Sequence, residues 1–257
     1  GMIIGVSAVI TMVALGTGAQ SSIESQIQAA GTNMIMVSAG NFQQGGVRLG
    51  QGNASSLTPE DAAAIRADCP SVAYVSATSR TSAQVVAGEL NWSTQIQGVD
   101  VDFTFIRSWN VAEGDFFTES DVRGATKVAV LGRTVADALF PTGDAVGSTI
   151  RIKNVPFRVV GVLEKKGGST MGQDEDDAIV APYTTVMKRL EGRSRVGMIL
   201  AAASSPDRVD EAKSEIDLLL RQRHRIGPGQ DADFMIRSQE EMASTAAASS
   251  KTLSVLL

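Results

Sequence analysis

At 257 residues the chain is long enough for one or two domains. Its net charge of −5, from 23 basic and 28 acidic residues, leaves no basic footprint for nucleic acid or for an anionic membrane surface. One cysteine excludes an internal disulfide, and one cysteine with one histidine cannot assemble a zinc site.

The first stretch, GMIIGVSAVITMVALGTGAQ from Gly1 to Gln20, holds no charge between Met2 and Leu15. It falls short of the ~20 apolar residues of a full membrane span, and a buried core helix would read the same way. It lacks the basic leading segment of a secretory signal. At the other end, SQEEMASTAAASSKTLSVLL from Ser238 to Leu257 is a helical pattern that turns apolar at Leu253. The pair is expected to be the tail of one membrane helix, over Met2 to Leu15, and the head of another, over Thr252 to Leu257. Everything between would then lie outside the cytoplasm.

Ile23, Ile27 and Ala30 form one stripe of a helix that continues the first run, with Gly31 placed as its C-terminal cap. Asn33 to Ala39 reads as a buried strand, and Asn41 to Ser56 as a mobile glycine-rich loop. Thr58-Pro59-Glu60-Asp61 is a helix start: a capping threonine, a proline in the first turn, and acids at the positive end of the dipole. That helix ends before Pro70. A strand over Val72 to Thr78 and a hairpin over Ser82 to Gly98, turning near Gly88-Glu89, follow.

A second strand–helix–strand unit stands near the far end. Val196 to Ala203 is its first strand, and Ser205-Pro206-Asp207 opens a helix with the stripe Val209, Ala212, Ile216, Leu219 and Leu220. Ala232 to Arg237 is the returning strand. Two such units predict an α+β fold with a ferredoxin-like sheet and helices on one face. The residues between, about Asp102 to Gly192, become an inserted, mostly β lobe. Its expected elements are a helical turn at Phe103 to Trp109, a strand at Lys127 to Leu131 and a helix at Arg133 to Phe140. A hairpin (Ser148 to Lys153 with Pro156 to Leu163), a strand at Ala178 to Ala181 and a helix at Thr184 to Leu190 complete it. The domain plan is 1–32 membrane end and stalk helix, 33–101 and 193–237 the two parts of the first lobe, 102–192 the insertion, and 238–257 the returning helix.

The chemistry-bearing residues are few. Cys69, at a helix end before Pro70, reads as a small half-buried side chain rather than a reactive thiol. His224 lies in the cationic run Arg221 to Arg225 at a helix terminus, where positive charge suits the dipole. Asp174-Glu175-Asp176-Asp177 lacks the spacing and glycine of an EF-hand and reads as a solvated acidic loop. Met34, Met36, Met187, Met198 and Met235 fall on apolar faces and read as core, with a soft-metal chain as the remote alternative. Gly16-Thr17-Gly18 lacks a lysine and a preceding strand, so it is no phosphate loop, and no serine sits in a nucleophile elbow. No catalytic, cofactor or metal residue is assigned, and the chain is not read as an enzyme.

Four segments in order carry a resemblance. They are the opening run Gly1 to Gln20, GDFFTESD (Gly114 to Asp121), VAVLGRTVADALFPTGDAVGSTIRIKNVPFRVVGVLEKKG (Val128 to Gly167) and LLRQRHRIGPGQDADFMIRSQEEM (Leu219 to Met242). Together they resemble the extracytoplasmic core domain of ABC-transporter permeases of the macrolide-exporter, or MacB, type. The resemblance implies an inner-membrane protein whose "porter" lobe carries an inserted second lobe between membrane helices one and two. It implies an ATPase elsewhere, a homodimer or paired permease, an adaptor protein and an outer-membrane exit channel as partners. ATP-driven motion of the membrane helices would be transmitted to substrate export, with no nucleic acid and no cofactor on this domain. The lipoprotein-release permeases, and an extracytoplasmic sensing or binding module, are the alternatives.

Overall fold

The computed structural model describes residues 33–40, 43–44, 47–48, 56–168 and 174–245. The fold is mixed α/β and dominated by sheet, organised in two regions that share one strand. That strand is β4 (Val72–Ala87), sixteen residues long. Its first half pairs with β11 (Met198–Ala203), and its second half pairs with β5 (Leu90–Val99) and β8 (Thr149–Ile152). The sequence pattern predicts a break after Thr78. The polar run Ser79 to Ser82 instead stays in register against Gly98 to Gln95.

The first region is a four-stranded antiparallel sheet in the order β12 (Phe234–Ser238), β1 (Met34–Ala39), β11, β4. Alternation along the strands sends Ile35, Val37, Val75, Ala77, Ile199 and Ala201 to one face. There they meet Ile65 of α1 (Pro59–Asp68) and Ala212, Ile216 and Leu220 of α6 (Val209–Arg223). The α1 start is a complete capping box: the Asp61 N–H donates to Thr58 Oγ1 at 3.2 Å, and the Thr58 N–H donates to Asp61 Oδ2 at 2.9 Å. Ser205 closes no such box. A 3₁₀ turn, Pro206–Arg208, precedes α6 and no side chain caps it. Position 208 is an arginine, so no carboxylate stands where Asp61 stands in α1; Arg208 pairs instead with Glu211 at 2.8 Å.

The second region is a closed barrel. From β4 the circuit runs through β5, β10 (Ala178–Pro182), β7 (Val128–Leu131), β9 (Val155–Leu163) and β8, and returns to β4. Two of its six pairings, β5 with β10 and β7 with β9, are parallel. The interior is filled by Val85, Ile96, Leu131, Ile150, Phe157, Ile179 and their neighbours. Val135, Ala136 and Leu139 of α4 (Arg133–Leu139) pack against it, as does the π-helical turn Val186–Glu191 through Val186 and Leu190. β6 (Val111–Gly114) extends β9 beyond the end of β8. A third apolar cluster joins the two regions: Met34, Leu200 and Ala202 from the sheet's second face meet Phe103 and Ile106 of α2 (Phe103–Arg107), Trp109, and the outward Val128, Val130 and Val180 of the barrel.

Within the expected loop Asn41 to Ser56, Gln43–Gln44 and Val47–Arg48 pair as a short ladder. Apart from Ser56, the rest of that loop, the run Met2 to Leu15, the stripe Ile23 to Ala30 and the end Thr252 to Leu257 lie outside the described residues. Among the described residues no helix is long and apolar enough to cross a membrane.

Candidate functional site

Two open grooves lie on the outer wall of the barrel, one lined by Gln84, Val86, Arg151, Lys153 and Asn154, the other by residues around Lys127 and Arg158. The barrel interior is side chain throughout its middle. Among the described residues no group of three acidic, histidine or cysteine side chains is placed to hold a metal ion. The four-stranded sheet carries capping bonds and ion pairs at both of its ends.

At one end the chain enters and leaves. β1 begins at Met34 beside the end of β12, with Ile35 opposite Ser238. Asn33 is fixed by its side-chain amide on the Ala203 carbonyl (2.5 Å) and by its own carbonyl, which accepts from the Ala203 N–H (2.9 Å). β12 passes without a linker into a helix at 239–245. Ser238-Gln239-Glu240-Glu241 forms a capping box: the Ser238 N–H donates to Glu241 Oε2 (2.9 Å), and the Glu241 N–H donates to Ser238 Oγ (3.2 Å). Glu241 also pairs with Lys213 Nζ of α6 at 2.5 Å, so the helix that follows β12 is tied sideways to the lobe. Met242 packs on the cluster that joins the two regions. Ile23 and Ile27 of the first stripe, and Ala246 and Ser249 farther along this same helix, lie outside the described residues.

At the opposite end, where Ala39 faces Phe234, an ionic cluster gathers three elements. Asp61 is buried, caps α1, and pairs with Arg223 Nε at 2.7 Å. Burial works against its charge, but Arg223, the Thr58 N–H and His224 outweigh burial and hold the Asp61 carboxyl below the usual range. His224 lies between Asp61 and Asp233. The sequence reading gave the cations of Arg221 to Arg225 to the helix dipole. The structure gives most of them carboxylates, with Arg221 on Asp217, Arg223 on Asp61 and His224 on two.

Three further readings change. The run Asp174 to Asp177 is not a solvated loop: Asp176 is 1% exposed and accepts from the backbone N–H groups of Lys166 (2.7 Å) and Gly167 (2.8 Å). Asp177 accepts from Trp92 Nε1 and Asp174 from Thr134 Oγ1, so the acids lock a turn against the barrel. Beside them Lys166 donates to the Arg107 carbonyl and lies 5.5 Å from the Trp109 ring; burial, with the nearby Arg107, pushes its ammonium down to about 8. Met34 and Met187 are core and Met36 and Met198 half-buried, but Met235 on the edge strand is 40% exposed. Cys69 is buried rather than half-buried, and burial, then Glu215 and Asp68, push its thiol up to about 11, which leaves it unreactive.

Residues 1–219 match the model of the MacB-like periplasmic core domain. The chain belongs to that family. Among curated proteins it is 34% identical to the "Macrolide export ATP-binding/permease protein MacB" of Syntrophobacter fumaroxidans, over all of the chain and 44% of the relative. It is 37% identical to the protein of the same name from Chlorobaculum tepidum, over 99% of the chain and 39% of the relative. The chain thus spans less than half the length of these relatives. Among solved structures, the periplasmic region of MacB from Actinobacillus actinomycetemcomitans superposes with a TM-score of 0.70 at 24% identity, covering 88% of this chain and 97% of that one. The extracellular domain of the noncanonic ABC-type transporter YknZ from Gram-positive bacteria gives 0.65 at 17% identity, covering 80% and 100%. These structural likenesses establish the fold. Family membership makes this a MacB-like periplasmic domain of an ABC-type transporter permease.

Within that family setting, the Glu241–Lys213 tie and the His224 cluster are what sequence reasoning passed over. Both join residues far apart in the chain, and only the three-residue spacing of Ser238 and Glu241 left a local trace.

Proposed function

We propose that this domain is a mechanical transmitter: it stands outside the inner membrane and carries ATP-driven motion of membrane helices into export of a substrate. In this reading Met2 to Leu15 and Thr252 to Leu257 are the membrane ends and 17–32 and 239–251 the stalk. The four-stranded sheet, in the order β12-β1-β11-β4 with α1 and α6 on one face, is a ferredoxin-like porter lobe interrupted by an inserted lobe. The ATPase lies elsewhere, on the same polypeptide or on a partner. Two copies work together in the membrane, with an adaptor protein and an exit channel completing the path.

The observation that supports it most is the geometry where the chain enters and leaves. Asn33 and Ser238 stand on neighbouring strands at one end of the sheet, and the helix at 239–245 starts on a closed capping box with a lateral tie to α6. No flexible linker stands between β12 and that helix to absorb a displacement. The test is Ala243→Pro in the full-length transporter, a change worth about 3 kcal/mol or more in a helix interior. ATP hydrolysis should continue while export is lost. Wild-type export by a folded, membrane-inserted variant would rule against transmission through this helix. Sidedness has its own check: a cysteine placed at Glu89, on the exposed hairpin turn, should react only with reagent added outside the cell.

A further inference from the structure

The His224 ring is gripped on both nitrogens. Nδ1 lies 2.8 and 3.0 Å from the two oxygens of Asp233, and Nε2 lies 3.2 Å from Asp61 Oδ2. A neutral imidazole has one N–H and one lone pair, so either tautomer would set a lone pair against an anionic oxygen. Only the imidazolium donates on both sides. The two carboxylates come from different elements, and each is anchored. Asp61 caps α1 through Thr58 and holds Arg223. Asp233 leads into β12, and its backbone carbonyl accepts from the Gly40 N–H (2.7 Å) and from Ser56 Oγ (2.9 Å), the two ends of the segment that leaves β1 and returns to α1.

The charged groups facing this site are Asp61 from α1, Asp233 from the approach to β12, and Arg223 from the helix that His224 itself terminates. The remaining wall is the Phe234 ring, edge-on to the imidazole at 5.8 Å. Burial disfavours the imidazolium, but the bonds to Asp233 and Asp61 outweigh burial and hold the ring proton above the usual histidine range.

We propose that His224 is a proton-operated clamp that, when charged, joins the start of α1, the end of α6 and the entry to β12, and that slackens when the proton leaves. The folded state binds this proton more tightly than the unfolded chain, in which histidine titrates near about 6.5. The stabilisation is therefore complete below that pH and is lost as pH rises through the higher folded value. Asp61 sets the other limit. Its folded value is depressed, so its contribution is present above about pH 4, where an unfolded aspartate titrates, and is lost as pH falls through the folded value. The four-stranded sheet is thus locked most firmly in mildly acidic surroundings, at the end opposite the one where the chain enters and leaves. The device belongs to the folded chain and does not depend on the transport reading.

Because the chain has one histidine, its ring Cε1–H resonance needs no assignment by elimination. Titration of the 257-residue chain in detergent from pH 5 to 9 should give a midpoint above 6.5, and Asp233→Asn, which keeps the backbone carbonyl, should move it down. Thermal unfolding should place His224→Gln below wild type at pH 6, with the gap closing by pH 9. A wild-type midpoint at or below 6.5, or a gap of constant size across that range, would overturn the clamp. If His224→Gln does not fold, the ring titrations of wild type and Asp233→Asn decide alone.

Discussion

The barrel and the four-stranded sheet solve the same problem in opposite ways. A sheet must satisfy its edges and cover its apolar face. The barrel does both by closing, with β8 bridging β9 and β4 and the interior filled from every strand. The open sheet keeps two edges and two faces, covers one face with α1 and α6, and lends the other to the cluster shared with the barrel. Closure gives each barrel strand a neighbour on both sides. Openness leaves edge groups and, at the end where Ala39 faces Phe234, an ionic cluster. Strand β4, common to both, sets how far the two can behave independently.

The largest effect should come from the two cores. Phe157→Ala removes a fully buried ring from the barrel and should cost about 3–5 kcal/mol; Ile216→Ala does the same for the sheet at about 2–5 kcal/mol. If β4 couples the regions, either change shifts a single urea transition. Tryptophan fluorescence reads Trp92 and Trp109, on the barrel and at its junction, while far-UV circular dichroism weights α1 and α6. Coincident curves in both variants are expected. A variant that splits the two probes would mean that the regions unfold separately in spite of the shared strand.

The same contrast explains what was legible in the sequence. The strand–helix–strand units of the open sheet announce themselves locally, through the Thr58-Pro59-Glu60-Asp61 start and the apolar stripe from Val209 to Leu220. The barrel does not. Its parallel pairings join Ile96 to Ile179 and Val128 to Arg158, and VAVL and AIVAP are buried along their whole length. An all-apolar run of four or five residues carries no alternation and hence no hint of its neighbours. The hairpins Ser82 to Gly98 and Ser148 to Leu163 were readable one by one, but the circuit they close was not. The acidic run Asp174 to Asp177 misled for a related reason, since its partners Lys166, Trp92 and Thr134 lie up to 85 residues away.

Next in size is a steric contrast inside the barrel region. A Cβ on Gly132 would stand 2.2 Å from the Asp176 carbonyl oxygen and 2.8 Å from that of Ala178, so backbone would have to move. Gly132→Ala should cost about 1–3 kcal/mol, as overpacking does. Gly143→Ala, at a positive φ of 86° in open space, isolates the backbone effect alone and should cost about 1 kcal/mol. Equal losses in denaturant melts would remove close packing of the Asp176 turn as the reason for glycine at 132.

One device occurs in both regions and allows a matched comparison. Thr118 and Asp121 form the same capping box on the helix Glu119–Gly124 as Thr58 and Asp61 form on α1. Replacing a capping threonine by alanine costs about 0.5–2 kcal/mol. Thr58→Ala should fall at the upper end, because Asp61 is buried and also holds Arg223 and His224. Thr118→Ala should fall at the lower end, since its box stands in solvent. A Thr118→Ala loss as large as that of Thr58→Ala would show that the ionic cluster adds nothing to the cap.

The smallest effect on stability should be the most telling about edges. Beyond its pairing with β11, the first half of β4 turns an edge outward, and charged side chains cover it. Arg66 Nη2 donates to the Val75 carbonyl at 2.5 Å, and Asp102 Oδ2 accepts from the Val75 N–H at 3.2 Å. Arg66 also bridges Asp100 (3.1 Å) and Asp102 (3.0 Å). Arg66 is half exposed, so these pairs add at most about 1 kcal/mol to stability. Their larger consequence is to deny Val75 to an incoming strand. The double variant Arg66→Gln with Asp102→Asn should therefore melt within about 1 kcal/mol of wild type. Its weight-average mass in light scattering should rise with concentration more steeply than that of wild type, because an uncovered strand edge recruits another. Barrel strands, which have no such edge to uncover, supply the control: Gln84→Ala with Asn91→Ala breaks a hydrogen bond between side chains on the barrel's outer wall and should leave the mass curve unchanged. Identical curves for the Arg66/Asp102 double variant and wild type would mean that the shape of the edge, rather than its charged cover, keeps it unpaired.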